Sequence, residues 1–125
     1  MSSNISTGRT GEFLASYILE TFGVEVHHVS RDGADLWCKI RSDRIVTIDV
    51  KSAAKTSTNI KARNHYRFNT PGRVPVDYYA FVALDKQLML VRPSEEVDVK
   101  TVSIHTKHFN ESNQRRTIEQ MIDAC

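Results

Sequence analysis

With 125 residues, 40% hydrophobic and 26% charged, the chain has apolar material for one core, so a single domain over 1–125 is expected. It has no apolar run long enough to span a membrane, and its polar opening, "MSSNISTGRTGE", has none of the apolar stretch of a secretory signal; a cytoplasmic protein is expected. Its two cysteines, Cys38 in an apolar run and Cys125 at the chain end, make a poor disulfide pair, and a net charge of +2 argues for nucleic acid only if the charge is unevenly placed.

Ser6 to Phe22 reads as a helix. Ser6 or Thr7 can cap it, Phe13, Leu14, Tyr17, Ile18 and Phe22 recur at spacings of three and four, and Gly23 fits the position just past its end. Val24 to Val29 alternates as a strand, and "SRDGAD" is a turn. In the next strand Leu36, Cys38 and Ile40 share a face. "RSDR" turns the chain into Ile45 to Lys51, where Val46, Ile48 and Val50 face one way and Ile45, Thr47, Asp49 and Lys51 the other. Residues 52–76 lack periodicity apart from a short "HYRFN". "DYYAFVAL" and "QLMLV" are strands around the turn "DKQ", "PSEEV" is a turn or one helical turn, "TVSIH" is a short edge strand, and Asn113 to Ala124 is a final helix. A helix followed by a three-strand meander points to an α+β domain with a mixed central sheet.

Four residues stand out within this layout: Glu12, Asp35, Asp49 and Lys51. The strand period puts Asp49 and Lys51 on one face, about 6.5–7 Å apart. Asp35 opens the preceding strand, so its carboxylate can lie near that of Asp49 across the hairpin. Two carboxylates about 4 Å apart repel by roughly 4 kcal/mol at an effective dielectric near 20, which a cation would relieve. One or two carboxylates, completed by water and a substrate phosphate, describe a Mg²⁺ site. Lys51 beside it can orient a water or stabilise charge on phosphorus. An Asp–Lys pair on a solvated strand face would show the same spacing; Asp35 after a turn and Glu12 at a helix start, in this order, add weight to the catalytic reading.

The blocks "GRTGE", "GADL" and "IDVKSA" resemble the PD-(D/E)XK nuclease superfamily. Within it, "VKSA", "RFNT", "VDYYAFV" and a late "TVSI…FN…NQ" are similar to the group I intron-associated homing endonucleases, over Gly8 to about Gln120. The resemblance implies a restriction-endonuclease-like α/β/α fold, a mixed central sheet flanked by helices. It implies Asp35, Asp49 and the Val50 carbonyl as Mg²⁺ ligands with Glu12 as an outer acid, Mn²⁺ able to substitute, and Lys51 serving the water and the transition state. Ala34 stands where the superfamily has its proline, and some intron-associated members carry glutamine where this chain has Asp49.

Between Val50 and Val76 lie Lys51, Lys55, Lys61, Arg63, Arg67 and Arg73, six of the 17 basic residues, with no Asp or Glu. Tyr66 and Phe68 alternate with Arg67. A one-signed segment that begins at the proposed catalytic lysine suits phosphate and base contacts, and Arg9 beside Glu12 can add another. A solvated polar loop is the plainer alternative. His27 and His28 point to opposite faces, His105 and His108 lack further zinc ligands, and "GRTG" is no Walker loop; Gly8 and Gly11 more simply let the helix approach the sheet.

The expected function is a Mg²⁺-dependent, site-specific double-strand DNA endonuclease of homing type. The alternatives are a Holliday-junction resolvase and an inactive DNA-binding module of the same fold. Cutting both strands implies a homo-oligomer, a dimer or the tetramer some members of the resembled group use. Tyr78 to Leu90 and the final helix are the expected interface.

Overall fold

The computed structural model describes residues 4–31, 34–41, 43–70, 75–97 and 100–124. In chain order the elements are α1 (Asn4–Thr21), β1 (Glu25–Arg31), β2 (Ala34–Arg41), β3 (Arg44–Ala53), β4 (His65–Asn69), β5 (Tyr78–Ala83), β6 (Leu88–Pro93), β7 (Thr101–His105) and α2 (Glu111–Asp123). Single 3₁₀ turns stand at Ile60–Ala62, Ser94–Glu96 and Thr106–His108.

Five strands form one sheet in the order β1-β2-β3-β5-β6, and β4 and β7 pair as a separate ribbon. All pairings are antiparallel except β3 with β5. That parallel join explains the long aperiodic stretch of sequence. Parallel neighbours cannot be linked by a tight turn, so the chain must leave β3, cross over and return. The crossover is the basic segment, and β4 lies within it.

The strand alternation divides the apolar residues between two cores. On one face Leu36, Cys38, Val46, Ile48 and Val50 meet Ala15, Ile18 and Leu19 of α1 and Ile118 and Met121 of α2. Burial pushes the Cys38 thiol up to about 12, so it serves as a small packing residue. On the other face Tyr79, Phe81, Ala83 and Leu90 meet Tyr66, Phe68, Val102 and Ile104 of the ribbon, closed by Phe109. Full burial of an apolar side chain such as Phe68 or Ile104 contributes about 1.5–3 kcal/mol, which holds the ribbon to the sheet. The fold is thus the expected α+β, restriction-endonuclease-like class with a mixed central sheet; among the described residues both helices share one face, and the ribbon covers the other.

The first helix departs from its expected detail. It begins by Asn4, so Ser6 and Thr7 lie inside it and do not cap it. Phe13 and Tyr17 are 59% and 66% exposed. The side facing the sheet is lined instead by Gly11, Ala15, Ile18 and Leu19, because small residues let the helix axis come close. A Cβ on Gly11 would collide with Ser52 Oγ and lie 2.8 Å from Ser52 Cβ, whereas one on Gly8 would meet nothing within 4 Å. Of the two glycines, only Gly11 is needed for close approach.

Tyr78 to Leu90, expected at a subunit interface, largely forms core strands: Tyr79 to Ala83 and Met89 to Val91 are buried. The edge strand β6 is also covered. Gln114 Oε1 accepts from Met89 N at 3.0 Å and Thr117 Oγ1 accepts from Val91 N at 3.1 Å, so α2 occupies two main-chain donors that another strand would need. Asn110 caps α2, accepting from Asn113 N at 2.7 Å.

Gly11→Ala should lower unfolding free energy by about 1–3 kcal/mol in denaturant melts despite alanine's better helix propensity, because the overlap is with a neighbouring strand. Gly8→Ala should be neutral or stabilising by up to about 1 kcal/mol. Equal effects at the two positions would contradict the close approach at Gly11.

Candidate active site

The site is built where β2 and β3 run side by side. Leu36 faces Ile48 in the antiparallel register, which brings Asp35, one residue earlier, alongside Asp49, one residue later. Asp35 is fixed by the backbone of the neighbouring strand: Val50 N donates to Asp35 Oδ2 at 2.7 Å. The N–H of the residue between Asp49 and Lys51 thus holds the first acid against the second.

Asp49 is 4% exposed. Burial first, and then Asp35 within hydrogen-bonding reach, push its carboxyl up, and with the Lys51 ammonium partly offsetting both it stands at about 7. Lys51 Nζ lies 3.2 Å from Asp49 Oδ2. The two share the ribbon-side face, where Asp49 sits beside Tyr79 in the β3–β5 register. Burial and the Asp49 charge together raise the Tyr79 hydroxyl.

Glu12 reaches this site by charge. It is half-buried on α1, and burial first, then the negative charge of Asp35, raises its carboxyl, while Arg9 pulls it back. The close approach at Gly11 is what brings this turn of the helix to the sheet. Among the described residues no three His, Cys, Asp or Glu side chains come together as a metal-binding set.

The pair itself suits a hard divalent cation. Its donors are all oxygen, Asp49 is buried and Asp35 half-buried, and burial and the neighbouring acid raise Asp49 to about 7 despite Lys51. Two carboxylates with main-chain, water and phosphate oxygens are an ordinary Mg²⁺ environment, so a third carboxylate in direct contact is not required.

The basic residues lie further along the crossover. Lys55, Lys61, Arg63 and Arg67 are exposed, and Arg9 is exposed on α1; Arg73 lies outside the described residues. Ser57 N donates to His65 O at 2.8 Å, tying the start of the crossover to β4, and Asn59 Oδ1 caps the turn at Ile60–Ala62 by accepting from Lys61 N at 3.0 Å. His27 and His28 go to separate partners, Glu25 and Ser16.

The sequence reading gave Asp77 no role. Thr47 N donates to Asp77 Oδ2 at 2.9 Å, and Asp77 N donates to Thr47 O at 3.1 Å, locking β5 to β3 two residues before Asp49. The signal was an acid directly before a buried strand, in "VDYY".

In the metal-free protein Asp49 should make stability depend on pH. Its folded value of about 7 lies above the unfolded value near 3.8, so between them the folded state holds a proton that the unfolded chain has lost. Stability from this group is full at low pH and falls as pH rises through that window. Asp49→Asn should therefore be more stable than wild type at pH 8, by a few kcal/mol at most, with the difference shrinking towards pH 4. Paired melts across that range test it; a gap that widened on acidification would contradict the assignment.

No protein-family model matches this sequence, and no curated protein does. Among solved structures, a bacterial homing endonuclease, I-Ssp6803I, superposes with a TM-score of 0.70 over 97% of this chain and 98% of its own, at 14% sequence identity. The resemblance drawn from the sequence motifs therefore holds at the level of the fold: this chain has the α+β, restriction-endonuclease-like architecture of a bacterial homing endonuclease.

Proposed function

We propose that this protein is a Mg²⁺-dependent endonuclease that cuts double-stranded DNA at specific sites. The observation that carries the proposal is the Asp35–Asp49 pair with Lys51 at 3.2 Å from Asp49, set on a fold shared with a homing endonuclease.

Asp35 and Asp49, with the Val50 carbonyl, are the residues that would hold the cation. When bound, Mg²⁺ supplies Lewis-acid polarisation of the phosphate and acidifies water. The chain's own residues do the rest. The Val50 N–H occupies Asp35 Oδ2 and so fixes the direction in which Asp35 Oδ1 is offered. Lys51, half-buried and aimed along the same strand face as Asp49, orients the attacking water and stabilises the charge that builds on the non-bridging oxygens. Glu12 adds negative potential behind Asp35 and can take up a proton, its carboxyl being already raised. Lys55, Lys61, Arg63, Arg67 and Arg73 along the crossover, with Arg9, contact the DNA, the lysines through its phosphates. Cutting both strands calls for a homo-oligomer, a dimer or tetramer.

Supercoiled plasmid with Mg²⁺ is the direct assay. Wild type should nick and linearise it, and Mn²⁺ should substitute. Asp49→Asn and Lys51→Ala should each lose at least about a hundredfold in rate with folding intact. If both variants cut as fast as wild type, the site is wrong. If about five side chains meet phosphates, log K should fall against log salt with a slope of about −4 to −5 per protomer. A flat salt response would remove the crossover from the binding face.

A further inference from the structure

The ribbon of β4 and β7 has two unlike faces. Tyr66 and Phe68, with Val102 and Ile104, are buried against the sheet. The alternate positions point away from it: His65, Arg67 and Asn69 on β4, opposite His105, Ser103 and Thr101 on β7. Arg67, Asn69, Thr101 and Ser103 are exposed, and none of their side chains has a hydrogen-bond or ion-pair partner among the described residues. Four adjacent positions thus offer unused donors and acceptors on a rigid, well-anchored backbone.

The two segments that carry the ribbon are one-signed in charge. Residues 61–70 and 100–110 contain Lys61, Arg63, Arg67, Lys100 and Lys107, three histidines, and no Asp or Glu. The whole chain is only +2, so the remainder of the molecule is net negative. His65 and His105 meet edge to face with ring centroids 4.9 Å apart. Partial burial, His65, Lys107, His108 and Lys86 all hold His105 below its ordinary range, as expected at a concentration of positive potential.

Size and orientation add to this. A five-residue strand runs about 17 Å, and a two-stranded ribbon fits the roughly 12 Å major groove of DNA. The outer face looks away from the sheet on the side where Asp49 and Lys51 project, so a duplex lying on the ribbon would lie towards the acids and not behind them.

We infer that the β4–β7 ribbon enters the major groove and reads base edges with Arg67, Asn69, Thr101 and Ser103. Arginine pairs with guanine and asparagine with adenine through two hydrogen bonds each; serine and threonine hydroxyls adapt to either partner. Lys61, Arg63, Lys100 and Lys107 at the ribbon's ends hold phosphates and set the register. The motif-based reading used "TVSI" only as part of the family resemblance and gave β7 no DNA contact, because its residues lie about 50 positions from Lys51 and meet β4 only in the fold. The inference rests on the DNA-cleaving reading above and assigns its specificity to four side chains.

The test is selection from a pool of duplexes randomised over about three helical turns, with Ca²⁺ replacing Mg²⁺ so that DNA is held and not cut. Wild type should enrich a sequence motif. The double variants Arg67→Ala with Asn69→Ala, and Thr101→Ala with Ser103→Ala, should each lose about tenfold or more of the preference at a block of neighbouring base pairs, and keep the rest of the motif. Arg67→Lys should lose the same preference with little change in affinity for unselected DNA, since it keeps the charge but not the paired hydrogen bonds. Lys55→Ala, off the ribbon, should weaken all sequences evenly. All these side chains are exposed, and circular dichroism checks that each variant is folded. An unchanged motif in both double variants overturns the ribbon as reader and leaves the nuclease reading standing. A wild type that nicks plasmid in Mg²⁺ but enriches no motif overturns the ribbon and the site-specificity together. One that neither holds duplex nor nicks plasmid overturns the nuclease reading as well.

Discussion

Two carboxylates that share one buried space set the terms for this structure. Asp35 and Asp49 come from neighbouring strands, and the register that aligns them also buries Leu36 against Ile48 on the opposite face. A slip of one residue would turn every core side chain outward, so the hydrophobic core itself enforces the encounter of the acids. The Val50 N–H and the Lys51 ammonium partly compensate the repulsion, yet Asp49 is still pushed up to about 7. A fold that accepts this cost at a single point, when apolar residues would fill the space more stably, has the character of a site kept for its chemistry.

The surrounding elements can be understood from that pair outward. The parallel join of β3 to β5 brings Tyr79 beside Asp49, and the Thr47–Asp77 bonds fix the alignment. The same join forces a crossover, and the chain uses it to carry positive charge and one strand of the ribbon. Topology and electrostatics are met by one connection. The Asp35–Asp49 pair lies on the sheet, and Lys55, Lys61, Arg63 and Arg67 lie on the segment that must leave it, which is the charge separation the DNA-cleaving proposal draws on. No helix among the described residues is long and apolar enough to cross a membrane.

Much of this was legible in the sequence, for definable reasons. The period of two located Asp49 and Lys51 on one strand face, and the helical and strand runs were long enough to place six strands and two helices in order, with β4 visible only as the short "HYRFN". The one-signed charge of the crossover needs no structure to be seen. Other features depend on three-dimensional closure. Phe13 and Tyr17 look like a helix's buried stripe, but the approach at Gly11 excludes large rings from the sheet side and turns them outward. Ser6 and Thr7 look like caps, but the helix starts before them. The partnership of "HYRFN" with "TVSIH" is a pairing between distant segments, and local pattern carries no information about which strands will meet. Glu12 was placed with the acids by order along the chain, whereas the structure couples it to Asp35 through charge without bringing it into a three-residue set.

The central claim is that the Asp35–Asp49 pair is a cation site held in a strained protonation state until the cation arrives. Carboxyl-carbon NMR of Asp49, followed against pH with and without Mg²⁺, measures this directly. The account predicts a midpoint of about 7 in the metal-free protein and a fall of at least about one unit when Mg²⁺ saturates the site. An ordinary aspartate midpoint of about 4 that ignores Mg²⁺ would contradict it.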